Sequence, residues 1–248
     1  MNTIIEILTG FNTYQPDEVN EVGLMKRIER KYIFHSRHLV ELLAELKMNY
    51  TRLNIDNVLI PGYSTLYFDT DDFQMYHHHH NGKLDRYKIR HRVYLDSGTG
   101  FLEIKHKNNR NIIKKTRINI SGNDMLENHE EFISSKSPFT FSQLKPAISS
   151  YYNRITFANI ENRERITFDC NIEFRYGNRK LDFKNLVICE VKKNPGNRES
   201  EFERFLMKRR IKPFSISKYC LGNYFLNESV KQNLFKEKAI FINKLINS

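Results

Sequence analysis

Along much of this chain, charged and apolar residues alternate one by one, and that pattern limits what it can fold into. Side chains on a β-strand point to opposite faces in turn, so residues two apart share a face. The segment Tyr87-Lys-Ile-Arg-His-Arg-Val-Tyr94 therefore gathers Lys88, Arg90 and Arg92 against Ile89 and Val93. Phe101-Leu-Glu-Ile-Lys-His-Lys107 sets Glu103, Lys105 and Lys107 opposite Leu102 and Ile104. In the first such segment Arg27, Glu29 and Lys31 oppose Ile28, Tyr32 and Phe34. Lys115 and Arg117 share a face, Arg154 lies between Asn153 and Ile155, and Arg163, Arg165 and Asp169 oppose Ile166 and Phe168. Finally, Glu190 and Lys192 oppose Val187, Cys189 and Val191. The spacing predicts strands over 25–34, 64–69, 87–95, 101–107, 112–120, 152–157, 163–172 and 186–193, those from 64 to 120 joined as an antiparallel meander with turns at Asn81-Gly82 and Asp96-Ser97-Gly98.

A merely solvated face mixes Ser, Thr and both signs of charge, whereas Arg and Lys dominate here. The chain carries 40 Lys and Arg against 29 Asp and Glu, a formal net charge of +11, which calls for a polyanionic partner. If the sheet closes into a barrel of about eight strands, the basic faces converge on an interior that repulsion would burst unless a polyanion and water fill it. With that closure the expected class is α+β: a closed eight-stranded antiparallel β-barrel tunnel, with helices packed outside and at the mouth. The acids among these cations have two open roles, relieving repulsion by pairing or ligating a divalent cation through hard oxygen atoms. For Glu29 and Glu103 both roles stand equal; for Glu190 the metal role is favoured.

The remaining segments frame this tunnel. Residues 1–24 read as a helix and connector, 25–226 as the tunnel domain, and 227–248 as an amphipathic C-terminal helix. Ser36 is the expected N-cap of a helix bearing Leu39, Leu42, Leu43 and Leu46. A polar, more helical insertion covers 123–149, and helices follow at 199–210 and 216–226. The run His77 to His80 reads as a solvated loop or hairpin end. Cys170, Cys189 and Cys220 have no metal or disulfide spacing. Without a basic leader or a stretch of about 18 apolar residues, the chain is expected to be soluble and cytoplasmic, at most reaching the inner face of a membrane through a separate partner. Aromatic residues fall mostly on the apolar strand faces, so no nucleic-acid stacking platform is expected.

Eight stretches in order, Glu29-Arg-Lys-Tyr32, Tyr67-Phe-Asp-Thr70, Arg90-His-Arg92, Phe101-Leu-Glu-Ile-Lys105, Tyr152-Asn-Arg154, Arg165-Ile-Thr-Phe-Asp169, Glu190-Val-Lys192 and Ser217-Lys-Tyr219, resemble the triphosphate tunnel metalloenzymes, and within them the vacuolar transporter chaperone (VTC) domain. The resemblance implies a polyphosphate polymerase, binding ATP and inorganic polyphosphate with Mn²⁺ or Mg²⁺. Its catalytic residues would be Arg90, Arg92, Lys105, Lys218 and the metal ligand Glu190; Lys31, Lys88, Lys115, Tyr152, Arg154, Arg165, Lys192 and Ser217 would bind substrate. The first strand departs from the superfamily's Glu-x-Glu-x-Lys signature, with Arg27 at its first position. Alternatives are a tunnel phosphohydrolase acting on inorganic or nucleoside triphosphate, and a non-catalytic binder of polyphosphate or inositol phosphates.

Overall fold

The computed structural model describes residues 2–15, 28–121, 126–196 and 199–247. A single antiparallel path organises it, built from β2 (Ile28–His35), β4 (Gly62–Asp69), β5 (Arg86–Tyr94), β6 (Thr99–Lys107), β7 (Ile113–Ser121), β8 (Lys145–Asn159), β9 (Glu164–Tyr176) and β11 (Leu186–Lys193). Their spatial order is β2-β11-β9-β8-β4-β5-β6-β7. β10 (Arg179–Phe183) adds to β9, β3 (Thr51–Leu53) adds to β8, and β1 (Thr13–Tyr14) pairs in parallel with β3. All eight alternating segments thus take their places in the antiparallel sheet.

The apolar face of each strand is covered. Behind β2, β8, β9 and β11, Phe157, Phe168, Val187, Cys189 and Val191 pack against α1 (Asn2–Thr9), α2 (Leu39–Leu46) and α5 (Glu201–Lys208). Behind β5 to β7, Ile89, Leu102, Ile104 and Ile120 meet Met75 of α3 (Gln74–His80) and Ile133 of α4 (Glu130–Lys136). Burying these side chains stabilises the sheet by about 1.5–3 kcal/mol each before chain entropy is counted. The other face changes character along its length, from cations at one end to Ile33, Ile148, Ile172, Phe174 and Ile188 at the other. α6 (Lys218–Leu226) and α7 (Lys236–Ile246) fill that apolar end. Gly222 permits the close approach of α6, because a Cβ there would lie 2.7 Å from the Phe174 ring and 2.9 Å from Ile148.

The expected closure of the barrel is not seen among the described residues. Among the described residues β2 and β7 are the two ends of the path, with no ladder between them. The reason is local: the free edge of β2 is taken by the segment leading into α6. Tyr32 bridges Pro213, and the Phe214 amide donates to the Lys31 carbonyl at 2.7 Å. That segment occupies part of the β2 edge that a seam would need and delivers Ser217 and Lys218 to the charged face.

Other departures are smaller. His77 to His80 lie in α3 rather than a loop, with His80 buried against Phe235. Ser36 opens a 3-10 turn whose N-cap is His35, and α2 follows from His38 without a side-chain cap. The 123–149 insertion is helical only as far as Gln143, because β8 begins at Lys145. Arg27 and the end of the connector lie outside the described residues. No helix is long and apolar enough to cross a membrane among the described residues.

Candidate active site

The charged faces enclose a cavity of about 960 Å³. Lys31, Lys88, Arg90, Arg92, Lys105, Lys115, Tyr152, Arg154, Arg165, Lys192, Ser217 and Lys218 all line it, as do Glu29 and Glu190. Strand register explains this convergence. Lys31 lies opposite Glu190, Glu29 opposite Lys192, and Lys192 opposite Arg165, so β2, β11 and β9 carry one charged patch across three neighbouring strands. On the facing wall Lys88, Lys105 and Lys115 form a row across β5, β6 and β7, and Arg90, Glu103 and Arg117 form the next.

Glu103 stands apart from the other predicted carboxylates. Only 1% exposed, it is outside the cavity lining, and it accepts from Arg90 at 2.7 Å and pairs with Lys115. Burial would raise its pKa, but Arg90, Arg92 and Lys115 outweigh that and hold it far below the carboxylate range. Its contacts aim Arg90 and Lys115 at the cavity.

Sequence reasoning gave no role to Asp169, which is buried on β9 and, like Glu103, lies outside the cavity lining. It accepts from Nε and Nη2 of Arg154, at 2.6 and 2.8 Å, and pairs with Lys218. Burial raises its pKa and these two cations more than reverse that, leaving it at about 2. Arg117 and the rings of Tyr63, Tyr67, Tyr94 and Phe101 also line the cavity. The aromatic residues are therefore interleaved with the cations, contrary to the reading of the strand faces.

Burial sets the state of the lysines. It lowers Lys88 to about 7, with Lys31, Lys105 and Arg86 adding repulsion, while the Lys88 ammonium donates to Ser217 Oγ at 2.8 Å. Lys115 and Lys192 are each brought to about 8, burial again outweighing the acids beside them. The Tyr152 phenol shows the opposite balance: burial would raise it, but Arg92, Arg154 and Lys218 win and its pKa falls. Lys218 lies 4.4 Å over its ring. Its hydroxyl is buried with no hydrogen-bond partner among the described residues.

Glu29 and Glu190 offer oxygen ligands. Burial opposes ionisation of both, yet Lys192, Lys31 and Arg154 hold Glu190 well below the usual range, and Lys31, Lys105 and Lys192 lower Glu29 although Glu190 pushes it up. Among the described residues no group of three His, Cys, Asp or Glu side chains forms a ready-made metal centre. Two ionised carboxylates on adjacent strands fit a hard divalent cation that completes its shell with phosphate oxygens and water.

A family model for the VTC domain matches residues 26–227. No curated protein matches the chain. Among solved structures, the chain is similar to a putative adenylyl cyclase from Hippeastrum, described as revealing a dominant triphosphatase activity. The identity is 14% and the TM-score 0.46, over 80% of this chain and 95% of that one. It is similar also to a protein of Pyrococcus horikoshii OT3, at 12% identity and a TM-score of 0.44, over 80% and 98% of the two chains. With the family match spanning more than half of its residues, the chain belongs to the VTC domain family.

Proposed function

We propose that the cavity transfers the γ-phosphoryl group of ATP to the terminal phosphate of a growing inorganic polyphosphate, releasing ADP. The observation that carries this reading is the convergence of Lys and Arg from seven strands and one helix on one cavity, beside the ionised pair Glu29 and Glu190. Phosphoryl transfer asks a protein for alignment and charge stabilisation more than for covalent help. Arg90, already oriented by Glu103, and Arg154, oriented by Asp169, present fixed guanidinium forks to phosphate oxygens. Lys105 and Lys218 offset the charge that builds on the bridging and equatorial oxygens, and Lys31, Lys88, Lys115, Arg165 and Lys192 hold the rest of the chain. Ser217 and Tyr152 supply hydroxyl groups at the same wall.

Glu190 and Glu29 would hold Mn²⁺ or Mg²⁺, which when bound neutralises phosphate charge and polarises the bond being broken. The acceptor phosphate is ionised at neutral pH, so the reaction needs no general base. Purified protein incubated with ATP and Mn²⁺ should yield long polyphosphate on a stained gel. Glu190→Ala and Arg92→Ala should each lower turnover by ~10²-fold or more. Free orthophosphate without polymer would instead identify hydrolysis, and variants that polymerise at the wild-type rate would sink the assignment.

A further inference from the structure

Six aromatic rings line this strongly charged cavity, and two of them flank the β5–β6 turn. Tyr94 and Phe101 are half-buried, meet edge to face with centroids 5.6 Å apart, and flank the β5–β6 turn, whose Ser97 and Thr99 line the cavity as well. The Arg117 guanidinium lies 4.5 Å over the Phe101 ring. The turn is well fixed: Gly98 takes φ +68°, its amide donates to the Tyr94 carbonyl at 2.8 Å, and Asp96 accepts from the Gly62 amide at 2.7 Å. Tyr94 also packs against the core beneath, meeting Tyr63 edge to face at 4.9 Å, yet both rings are only half-buried and line the cavity.

Register supplies a ruler. Arg90, Arg92 and Tyr94 succeed one another on the cavity face of β5, and at about 3.4 Å per residue Tyr94 stands roughly 13 Å from Arg90. That is on the order of the distance from the last phosphorus of a nucleoside triphosphate to its base. We propose that Phe101, Tyr94 and Arg117 seat a planar base, so that the donor is taken as a nucleoside triphosphate in one orientation, base at the β5–β6 turn and γ-phosphate toward Lys88 and Lys105. This inference rests on the reading of the cavity as a triphosphate site and adds the seat for the non-phosphate part of the ligand. Stacking on aromatic and guanidinium planes tolerates any base, so purine identity is weakly read.

Calorimetry with ATP and with methyl triphosphate, which carries the same phosphates and no base, tests it. Wild-type protein should bind ATP at least about fivefold more tightly, the low end of what base stacking contributes. Phe101→Leu and Tyr94→Leu should narrow that ratio toward one while leaving methyl triphosphate binding unchanged. Equal affinity of the two ligands for wild-type protein overturns the base seat and leaves the phosphate site standing. The same holds if the leucine variants lose both ligands in parallel while still melting cooperatively. Failure of wild-type protein to bind either ligand overturns both readings together.

Discussion

Lys192 and Lys193 are neighbours on β11 and enter two buried charged clusters of opposite construction. Behind the sheet, Lys193 pairs with Glu203, which also accepts from the Tyr32 hydroxyl at 2.9 Å and from Arg30 at 3.2 Å. Glu203 is N3 of α5 and closes the capping box with Ser200, so the same carboxylate ties helix to sheet. In front, Lys192 joins a cavity whose lining acids Glu29 and Glu190, like the buried Asp169 beside it, are each already in contact with a cation, and further cations remain. One cluster completes its charge balance within the protein; the other is short of negative charge. Burial alone does not separate them. What differs is whether the countercharge is built in or must arrive as ligand.

Breaking the balanced cluster should have the largest effect on folding. Glu203→Ala leaves Lys193 buried without its carboxylate and should cost about 3–5 kcal/mol in urea unfolding. The affinity of the folded protein for triphosphate should stay within about twofold. Loss of binding out of proportion to stability would mean that the two clusters are not independent.

The unbalanced cluster should respond to pH. Lys88 titrates near 7, and Lys115 and Lys192 near 8, so all three are charged at pH 6.5 and give up protons as the pH rises through that range. Triphosphate affinity should therefore fall on the order of tenfold between pH 6.5 and 8.5 at constant ionic strength, and binding near pH 7.5 should take up protons, since a phosphate beside an ammonium favours its charged form. Affinity that rises over this interval would contradict the assignment of these lysines.

A smaller effect sharpens the comparison further. Folding lowers Lys88 from 10.5 to about 7, so the unfolded chain binds more protons between these values and Lys88 opposes folding increasingly as pH drops toward 7. Lys88→Met should raise the stability of the empty protein by roughly 1 kcal/mol at pH 7 and weaken triphosphate binding. A variant less stable than wild type would show that Lys88 is structurally satisfied, as Lys193 is.

The seven basic strands were legible because inward cations and outward apolar residues make period-two alternation conspicuous, and Ser64 to Asp69, which carries no cation, was read with them; all eight predicted strands entered the sheet. Other stretches were missed. The first half of β8, Lys145 to Tyr151, carries Pro146 at its second position and presents Ser149 and Ser150, so nothing in its sequence alternates by charge. The convergence of the predicted cations was legible for the same reason. Asp169 was placed on the charged face but its role was not readable, because one of its partners, Lys218, comes from a helix 49 residues later. The open β2 edge escaped too, since the segment occupying it pairs through backbone atoms around Pro213 and leaves no pattern in side chains. The histidine run was misread for lack of its partners: Tyr76 and, from the turn before α7 more than 150 residues later, the Phe235 ring and the Leu234 amide gather around His80.

Titration of inorganic triphosphate into the wild-type protein and Arg92→Ala, followed by calorimetry at two salt concentrations, tests the claim of missing negative charge most directly. The account predicts one site per chain, affinity that weakens steeply as salt is raised, and a loss of about tenfold or more in the variant. Binding that is absent in the wild-type protein, or that Arg92→Ala leaves unchanged, would contradict it.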